Sequence, residues 1–289
     1  MAETSDLVSA AGRLAEGRVL CIGDLMLDRF VYGQVERVSP EAPIPVVSVE
    51  RELAMLGGAG NVVRNLVALG VEACFISVIG DDPAGREVTQ LVGAEPRLEP
   101  HLLVEPGRRT TIKTRFVAGS QQLLRADRET VAPIGARIRD QLVRRAEEAL
   151  HDHAVLVLSD YGKGVLGAED TQALIRAARA KGAWVVIDPK GRDYARYAGA
   201  SVLTPNRREL AEATGLPTGN DDEVVTAGRA LIERCAIDAL LVTRSQDGMT
   251  LIERDGPALH LPAEAREVFD VSGAGDTVVA TLAAALGSG

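Results

Sequence analysis

The sequence predicts an α/β fold with a central, mostly parallel sheet flanked by helices. Short apolar runs rich in Val, Ile or Leu alternate with segments whose apolar residues recur at helical spacing, as is typical of βαβ units. Glycines follow three of the helical segments, at Gly70, Gly182 and Gly215, where glycine commonly ends a helix. Two stretches without helical spacing interrupt this alternation, and they predict a smaller β-layer.

Six apolar runs have the length and composition of buried parallel strands. They are residues 18–23, 73–80, 154–159, 184–188, 201–204 and 239–243. The segments between them carry apolar residues three and four positions apart, which favours helices. The predicted helices are residues 61–69, 134–151, 169–181, 207–214 and 223–235.

The two interrupting stretches predict a small β-lid, built from about residues 28–50 and 101–129. The first contains Pro40, Pro43 and Pro45 followed by alternating apolar residues, and the second is a run of consecutive strand patterns. Surface hairpins without a role are the alternative interpretation. Because neither an internal repeat nor a long linker divides the chain, we expect residues 1–289 to form a single domain.

Composition excludes several classes of partner. The chain has 289 residues and a net charge of −9, with only four Phe, one Trp and four Tyr, so it lacks the basic field and stacking rings of a nucleic-acid binder. The absence of a long apolar run argues against a membrane partner. The three cysteines lie apart in apolar runs, which predicts buried thiols in a reducing compartment. We therefore expect a cytoplasmic protein.

The strongest local pattern is Asp270-Val271-Ser272-Gly273-Ala274-Gly275-Asp276, which runs directly into an Ala-rich helical segment. Small residues at a helix start leave the backbone N–H groups open, and these groups bind anions such as phosphate. Asp276 would lie in the first helical turn, where a carboxylate aligned with a hydroxyl acts as a base in phosphoryl transfer. The alternative is an Asp that only caps the helix.

A second glycine cluster, Gly57-Gly58-Ala59-Gly60-Asn61, also opens a predicted helix. It does not complete a dinucleotide fingerprint, and the chain carries no Walker A pattern. Gly57 and Gly58 would let a substrate approach the backbone, and Asn61 offers a donor and an acceptor to sugar hydroxyls. A tight turn with an amide cap is the alternative.

Together with Asn206-Arg207-Arg208-Glu209, these two clusters resemble the ribokinase-type (PfkB) family of carbohydrate kinases in order and spacing. Within that family the sequence is most similar to the bacterial D-glycero-β-D-manno-heptose 7-phosphate kinases, either free-standing or fused to an adenylyltransferase. The resembling segments include residues 23–28, 37–47, 110–115, 121–127, 159–166 and 187–191. They extend over nearly the whole chain from Val19.

The resemblance implies a role for each matching residue on the sugar side. Asp276 matches the catalytic base, and the N–H groups of Gly273, Ala274 and Gly275 match the anion hole for the transferring phosphate. The family binds sugar hydroxyls at the end of the first strand and at the glycine cluster. The matching residues here are Asp28, Gly57, Gly58 and Asn61.

On the nucleotide side, the resemblance implies ATP as co-substrate and Mg²⁺ as cofactor. Asn206 and Glu209 match the pair that organises Mg²⁺ and its waters, although Asn followed three residues later by Glu is also a capping box. Thr243, Arg244 and Gly248 match the nucleotide-binding turn, together with Asn206, Gly273 and Gly275. Many relatives have Gly where Ser245 stands.

A sugar phosphate also requires positive charge, which an acidic chain must concentrate locally. Lys163 follows a predicted strand and therefore lies at the carboxyl edge of the sheet. Lys113, Arg115 and Arg125 come from the predicted lid. We expect some of these side chains to hold the substrate phosphate, and the alternative is a solvated charged surface.

The resemblance thus implies a ribokinase-like kinase that phosphorylates heptose 7-phosphate at its C1 hydroxyl, in ADP-heptose and lipopolysaccharide core synthesis. Alternatives are another sugar kinase, such as a fructokinase or ribokinase, and a catalytically silent binding homologue. Exposed lid edges imply a homodimer. Since relatives continue beyond the last predicted helix, we expect the carboxyl end of the family domain to be missing from this chain.

Overall fold

The computed structural model describes residues 2–264 and 273–289. Within these residues, nine strands form one sheet in the order β13-β12-β11-β10-β9-β8-β1-β4-β5, and four form a second sheet in the order β3-β2-β6-β7. We call the four-stranded layer the small sheet. None of the described helices is long and apolar enough to cross a bilayer.

The strands of the main sheet begin with β1 (Arg18–Gly23) at its centre. The others are β4 (Glu72–Gly80), β5 (Leu98–Glu105), β8 (Val155–Ser159), β9 (Trp184–Asp188), β10 (Val202–Leu203), β11 (Ala239–Thr243), β12 (Met249–Glu253) and β13 (Leu259–Leu261). Strands β5, β4, β1, β8, β9, β10 and β11 are parallel, and β12 and β13 are added antiparallel. The six predicted strands are confirmed to within one residue at each end.

The helices cover both faces of this sheet. They are α1 (Ala2–Arg13), α2 (Ala59–Ala68), α3 (Pro83–Gly93), α4 (Ala136–Ala149), α5 (Ala168–Ala180), α6 (Arg207–Thr214), α7 (Asp221–Cys235) and α8 (Ala274–Gly287). Side chains of β1 alternate between two apolar clusters, with Leu20 and Ile22 facing one and Val19 and Cys21 facing the other. Helices α1 and α3 lie outside the segments that helical spacing predicts.

The small sheet consists of β2 (Leu25–Val38), β3 (Pro45–Gly58), β6 (Thr111–Ala118) and β7 (Gln121–Arg128). The predicted lid segment from 101 to 129 therefore begins too early. Residues 98–105 form β5, which pairs in parallel with β4 along its whole length, from Ala73 opposite Leu98 to Gly80 opposite Glu105. These backbone hydrogen bonds keep β5 at the edge of the main sheet.

The topology brings several loops to one edge. Strand β1 lies between β8 and β4, and the chain leaves it to enter the small sheet at Leu25. In an open parallel sheet, ligands bind outside the carboxyl ends of the strands, where the strand order reverses. The loops after β1, β8 and β9 meet at this place.

Candidate active site

Asp276 lies in the first turn of α8, and only 5% of its surface is exposed. The Asn61 side-chain amide donates a hydrogen bond to its Oδ2 at 2.7 Å. The Tyr161 hydroxyl donates to its Oδ1 at 2.5 Å. The predicted sugar ligand Asn61 therefore contacts the predicted base directly, and both carboxylate oxygens have a donor.

The environment of Asp276 makes this carboxylate a better proton acceptor. Burial, the largest cause, raises the pKa of Asp276 above its ordinary value, and the nearby Asp28 adds to the rise. Hydrogen bonds from Tyr161 and Asn61 act in the opposite direction, as does the charge of Lys113. A carboxylate whose pKa is raised towards neutrality accepts a proton more readily from a hydroxyl.

The glycine residues before Asp276 shape the start of α8. Gly273 has a φ of 79°, and a Cβ there would lie 2.6 Å from Asn61 Nδ2. Gly275 has open space on its side-chain side. The first N–H groups of a helix lack intrahelical partners, so those near Gly273, Ala274 and Gly275 are available to an anion. Asp270, Val271 and Ser272 of the predicted pattern lie outside the described residues.

The predicted sugar-hydroxyl ligand Asp28 lies on β2, facing the glycine cluster. A Cβ on Gly57 would lie 2.1 Å from Asp28 Oδ2, so a larger residue would displace this carboxylate. Gly58 has a φ of 58°, and a Cβ there would lie 2.5 Å from the Asp24 carbonyl oxygen. Arg115 contacts Asp28 Oδ1 at 2.6 Å. Arg115 therefore forms an ion pair with a predicted substrate ligand.

Lys113 lies near Asp28 and near two other predicted basic residues, Lys163 and Arg125. Lys163 Nζ contacts Glu129 Oε2 at 2.7 Å, and Arg125 Nε contacts Asp127 Oδ1 at 3.0 Å. Burial lowers the pKa of Lys113, and the nearby charges of Lys163 and Arg125 lower it further, against Asp28 and Asp127. We call Lys113, Lys163 and Arg125 the basic cluster. Its members come from β6, the loop after β8, and β7.

A cavity of about 180 Å³ lies beside Asp276 at the carboxyl edge of the main sheet. Loops after β8, β9, β10 and β11 contribute to its wall, as does the start of α8. The lining residues are Asp160, Tyr161, Asp188, Pro189, Lys190, Thr204, Asn206, Glu209, Thr243, Gly273, Gly275 and Asp276. The cavity is therefore lined by the predicted base and by two glycines of the predicted anion hole. Asn206, Glu209 and Thr243 of the predicted nucleotide side line it as well.

Asn206 and Glu209 form a complete capping box and also line this cavity. The Glu209 N–H donates to Asn206 Oδ1 at 2.9 Å, and the Asn206 N–H donates to Glu209 Oε2 at 3.0 Å. Glu209 Oε1 pairs with Lys190 Nζ at 2.9 Å. The position of this pair is thus compatible both with a helix capping box and with the predicted Mg²⁺ site.

Asp188 is an acidic residue of the cavity that sequence reasoning did not identify. Burial raises the pKa of Asp188 well above its ordinary value, and the charges of Asp276 and Glu209 raise it further against Lys190. A carboxylate in such surroundings gains from a bound cation. The side-chain oxygens of Asp188, Asn206 and Glu209 are ligand atoms of the kind that a hard divalent ion such as Mg²⁺ prefers.

Two of the predicted nucleotide-binding residues, Arg244 and Gly248, lie away from the cavity wall. Thr243 lines the cavity, but the buried Arg244 guanidinium donates to Thr250 Oγ1 at 3.0 Å and pairs with Asp221. A Cβ on Gly248 would lie 2.0 Å from the Leu261 carbonyl oxygen. Arg244 and Gly248 therefore stabilise the turn between β11 and β12, and neither residue lines the cavity.

Asp24 organises the loop after β8, and sequence reasoning assigned it no role. It is 1% exposed. Its Oδ2 accepts hydrogen bonds from the N–H groups of Tyr161 at 2.9 Å and Lys163 at 3.0 Å. Its Oδ1 accepts one from Val165 N–H at 3.1 Å. The Gly23-Asp24 pair directly after a buried strand was the available signal.

Solved structures with similar folds include two carbohydrate kinases. A ribokinase from Arabidopsis thaliana complexed with ribose and ATP has a TM-score of 0.72 at 18% identity, over 94% of this chain and 86% of that one. Phosphofructokinase-2 from Escherichia coli in its tetrameric inhibited form has a TM-score of 0.76 at 19% identity, over 93% and 88%. The ribokinase-like fold is therefore confirmed.

Sequence comparison gives closer relatives. The chain is 65% identical to the bifunctional protein HldE of Paramagnetospirillum magneticum, over all of this chain and 59% of that protein. It is 61% identical to the bifunctional protein HldE of Rhodospirillum rubrum, over all of this chain and 58% of that protein. The chain thus spans less than two thirds of the length of these relatives.

A family model for pfkB carbohydrate kinases matches residues 16–289. That range includes both glycine clusters, the capping box and Asp276. The chain belongs to the pfkB family of carbohydrate kinases.

Proposed function

We propose that this chain transfers the γ-phosphoryl group of ATP to the C1 hydroxyl of D-glycero-D-manno-heptose 7-phosphate. The observation that carries the proposal is the basic cluster beside Asp28, because a sugar that already bears a phosphate requires such charge. Lys113 belongs to this cluster and is close enough to Asp276 to influence its pKa. The similarity to HldE proteins, which extends over all of this chain, supports this choice of sugar.

In the proposed reaction Asp276 takes the proton of the C1 hydroxyl. The sugar oxygen forms a bond to the γ-phosphorus, the bond from that phosphorus to the bridging oxygen breaks, and ADP leaves. N–H groups at Gly273, Ala274 and Gly275 stabilise the charge on the transferring phosphoryl group. Asp28 accepts hydrogen bonds from sugar hydroxyls and holds the reacting one towards Asp276.

Asn206, Glu209 and Asp188 would hold Mg²⁺ near the nucleotide phosphates, with Asn206 and Glu209 acting through water. The ion, when bound, neutralises charge on these phosphates. Gly275, Gly273 and Thr243 border the same cavity and would contact the nucleotide. The small sheet would act as a lid that excludes water from the transfer. We further propose a cytoplasmic location, where ATP is available, and a role in ADP-heptose synthesis, which the similarity to HldE proteins supports.

ADP formation with heptose 7-phosphate, fructose 6-phosphate and ribose tests this function. We expect kcat/KM for the heptose phosphate to exceed that for the other sugars by at least about 10²-fold. Fructose 6-phosphate and ribose would each lack several of the polar contacts that the heptose phosphate makes. A preference for fructose 6-phosphate or ribose would favour a different sugar kinase. Binding of the sugar phosphate without ADP formation would identify a silent homologue.

We also propose that the small sheet pairs two copies of the chain. It exposes several large apolar side chains, namely Val35, Val38, Val49, Leu53 and Leu124, and its edge strands β3 and β7 are open to pairing within the described residues. We expect a dimer in sedimentation experiments and a monomer after Leu53→Asp with Leu124→Asp. A wild-type monomer, or an unchanged dimer in the variant, would contradict this arrangement.

A further inference from the structure

We propose that Tyr161 is a positioning residue, whose hydroxyl fixes the Asp276 carboxylate in the orientation in which it takes the substrate proton. This inference rests on the proposed role of Asp276 as the base. It assigns a function to the loop after β8 that is independent of the role of Lys163 in the same loop.

The contact between Tyr161 and Asp276 is direct, and the phenol is the proton donor in it. The hydroxyl lies 2.5 Å from Asp276 Oδ1. Burial and the nearby carboxylates, Asp276 first among them, raise the pKa of Tyr161 far above its ordinary value. The phenol therefore keeps its proton, and that proton is donated to Asp276.

Two donors on different oxygens define the plane of the carboxylate. The Asn61 amide donates to one lone pair of Oδ2, and the Tyr161 hydroxyl donates to one lone pair of Oδ1. Each oxygen keeps a second lone pair, so a substrate hydroxyl can still donate to one of them. Without Tyr161, Asp276 would be restrained at one oxygen only and could rotate about its terminal torsion, which has a broad energy minimum.

The backbone that carries Tyr161 is itself held by a buried carboxylate. Asp24 accepts from the N–H groups of Tyr161, Lys163 and Val165. Asp160 Oδ1 accepts from Gly162 N–H at 2.7 Å. Because alternate N–H groups of the loop point at Asp24, the backbone at Tyr161 cannot move away from Asp276 without breaking these bonds.

Tyr161 is one of several groups that influence the protonation of Asp276. Those facing it from the surrounding elements are Cys21 on β1, Asp28 on β2, Lys113 on β6, Tyr161 after β8 and Asp188 at the end of β9. Among these groups, Asp28 opposes the ionised form of Asp276, whereas Tyr161 and Lys113 favour it. Loss of the Tyr161 hydroxyl should therefore raise the pKa of Asp276 further.

Tyr161→Phe tests the inference with the loss of one hydroxyl. We expect kcat to fall about tenfold with an unchanged KM for ATP, and the acid limb of kcat/KM to move up by about one pH unit. Tyr194→Phe is the matched control, because Tyr194 is buried and its hydroxyl has no hydrogen-bond partner among the described residues. The control should keep the wild-type rate and pH profile.

A second measurement does not depend on the sugar. Carbon-13 NMR follows the titration of the Asp276 carboxyl, whose signal is identified by its loss in Asp276→Asn. We expect this titration to move to higher pH in Tyr161→Phe and to stay in place in Tyr194→Phe. If the wild type fails to phosphorylate the heptose phosphate, the proposed function is wrong, but the NMR titration still tests Tyr161. A Tyr161→Phe protein with unchanged pH profile and carboxyl titration, whatever its thermal stability, overturns the inference.

Discussion

Replacement of Asp276 with Asn is expected to lower kcat by about 10²–10⁴-fold, the usual contribution of a positioned general base. Asn has nearly the same size, and its oxygen still accepts from the Tyr161 hydroxyl. The Asn61 amide can turn to present its oxygen to the new amide group. The start of α8 should therefore keep its shape, and only the proton acceptor is lost.

Thermal unfolding separates this effect from a structural one. The raised pKa of Asp276 means that the fold favours the protonated form, so the ionised form lowers the stability of the folded protein at neutral pH. The neutral Asn removes that cost, and we expect the variant to unfold at a temperature no lower than the wild type. ADP formation is measured at saturating sugar phosphate and ATP. Near-normal turnover would exclude Asp276 as the base.

Most of the main sheet was predictable because each strand carries its own signal. Runs such as residues 154–159 and 184–188 are apolar on both faces, since helices cover both sides of a parallel sheet. Gly70, Gly182 and Gly215 follow helix ends with φ values of 87°, 74° and 72°. These features depend on nearest neighbours in the sequence, and the structure confirms them.

Helix α3 was missed, and the strand pattern within β5 was assigned to the wrong sheet. Helix α3 begins at Asp82-Pro83, where the Asp82 side chain accepts from Gly85 N–H at 2.7 Å, but its apolar stripe is short. Strand β5 has the alternating pattern of a half-buried strand, which does not specify the sheet to which it belongs. Its parallel pairing with β4 depends on the tertiary structure.

The candidate site was only partly predictable, because its contacts join distant parts of the chain. Asn61 and Tyr161 meet Asp276 across 215 and 115 residues, and no local pattern pairs a tyrosine with a later aspartate. Arg244 matched the family pattern, yet its guanidinium pairs with Asp221, 23 residues earlier. Thr243 of the same turn lines the cavity, but the resemblance could not give the direction of the Arg244 side chain.

Lys163→Ala is expected to raise the KM for the sugar phosphate by about 10–100-fold, the value of one charge-assisted hydrogen bond. Lys163 Nζ lies 2.7 Å from Glu129 Oε2 and is 19% exposed, so it is held where an incoming phosphate would compete with Glu129 for it. The KM for ATP should not change, because Lys163 is not among the residues that line the cavity. Lys181→Ala, at the end of α5, is the matched control.

The substrate provides a sharper test than the variant alone. Heptose without its 7-phosphate removes the other partner of the proposed contact, so a cycle of two enzymes and two sugars isolates their interaction. If Lys163 binds the phosphate, wild type and Lys163→Ala should use the unphosphorylated sugar with equal kcat/KM, and the wild type should gain more from the phosphate than the variant does. An equal gain in both enzymes would assign Lys163 to the ion pair with Glu129 alone. The phosphate would then be held by Lys113 and Arg125, the other members of the basic cluster.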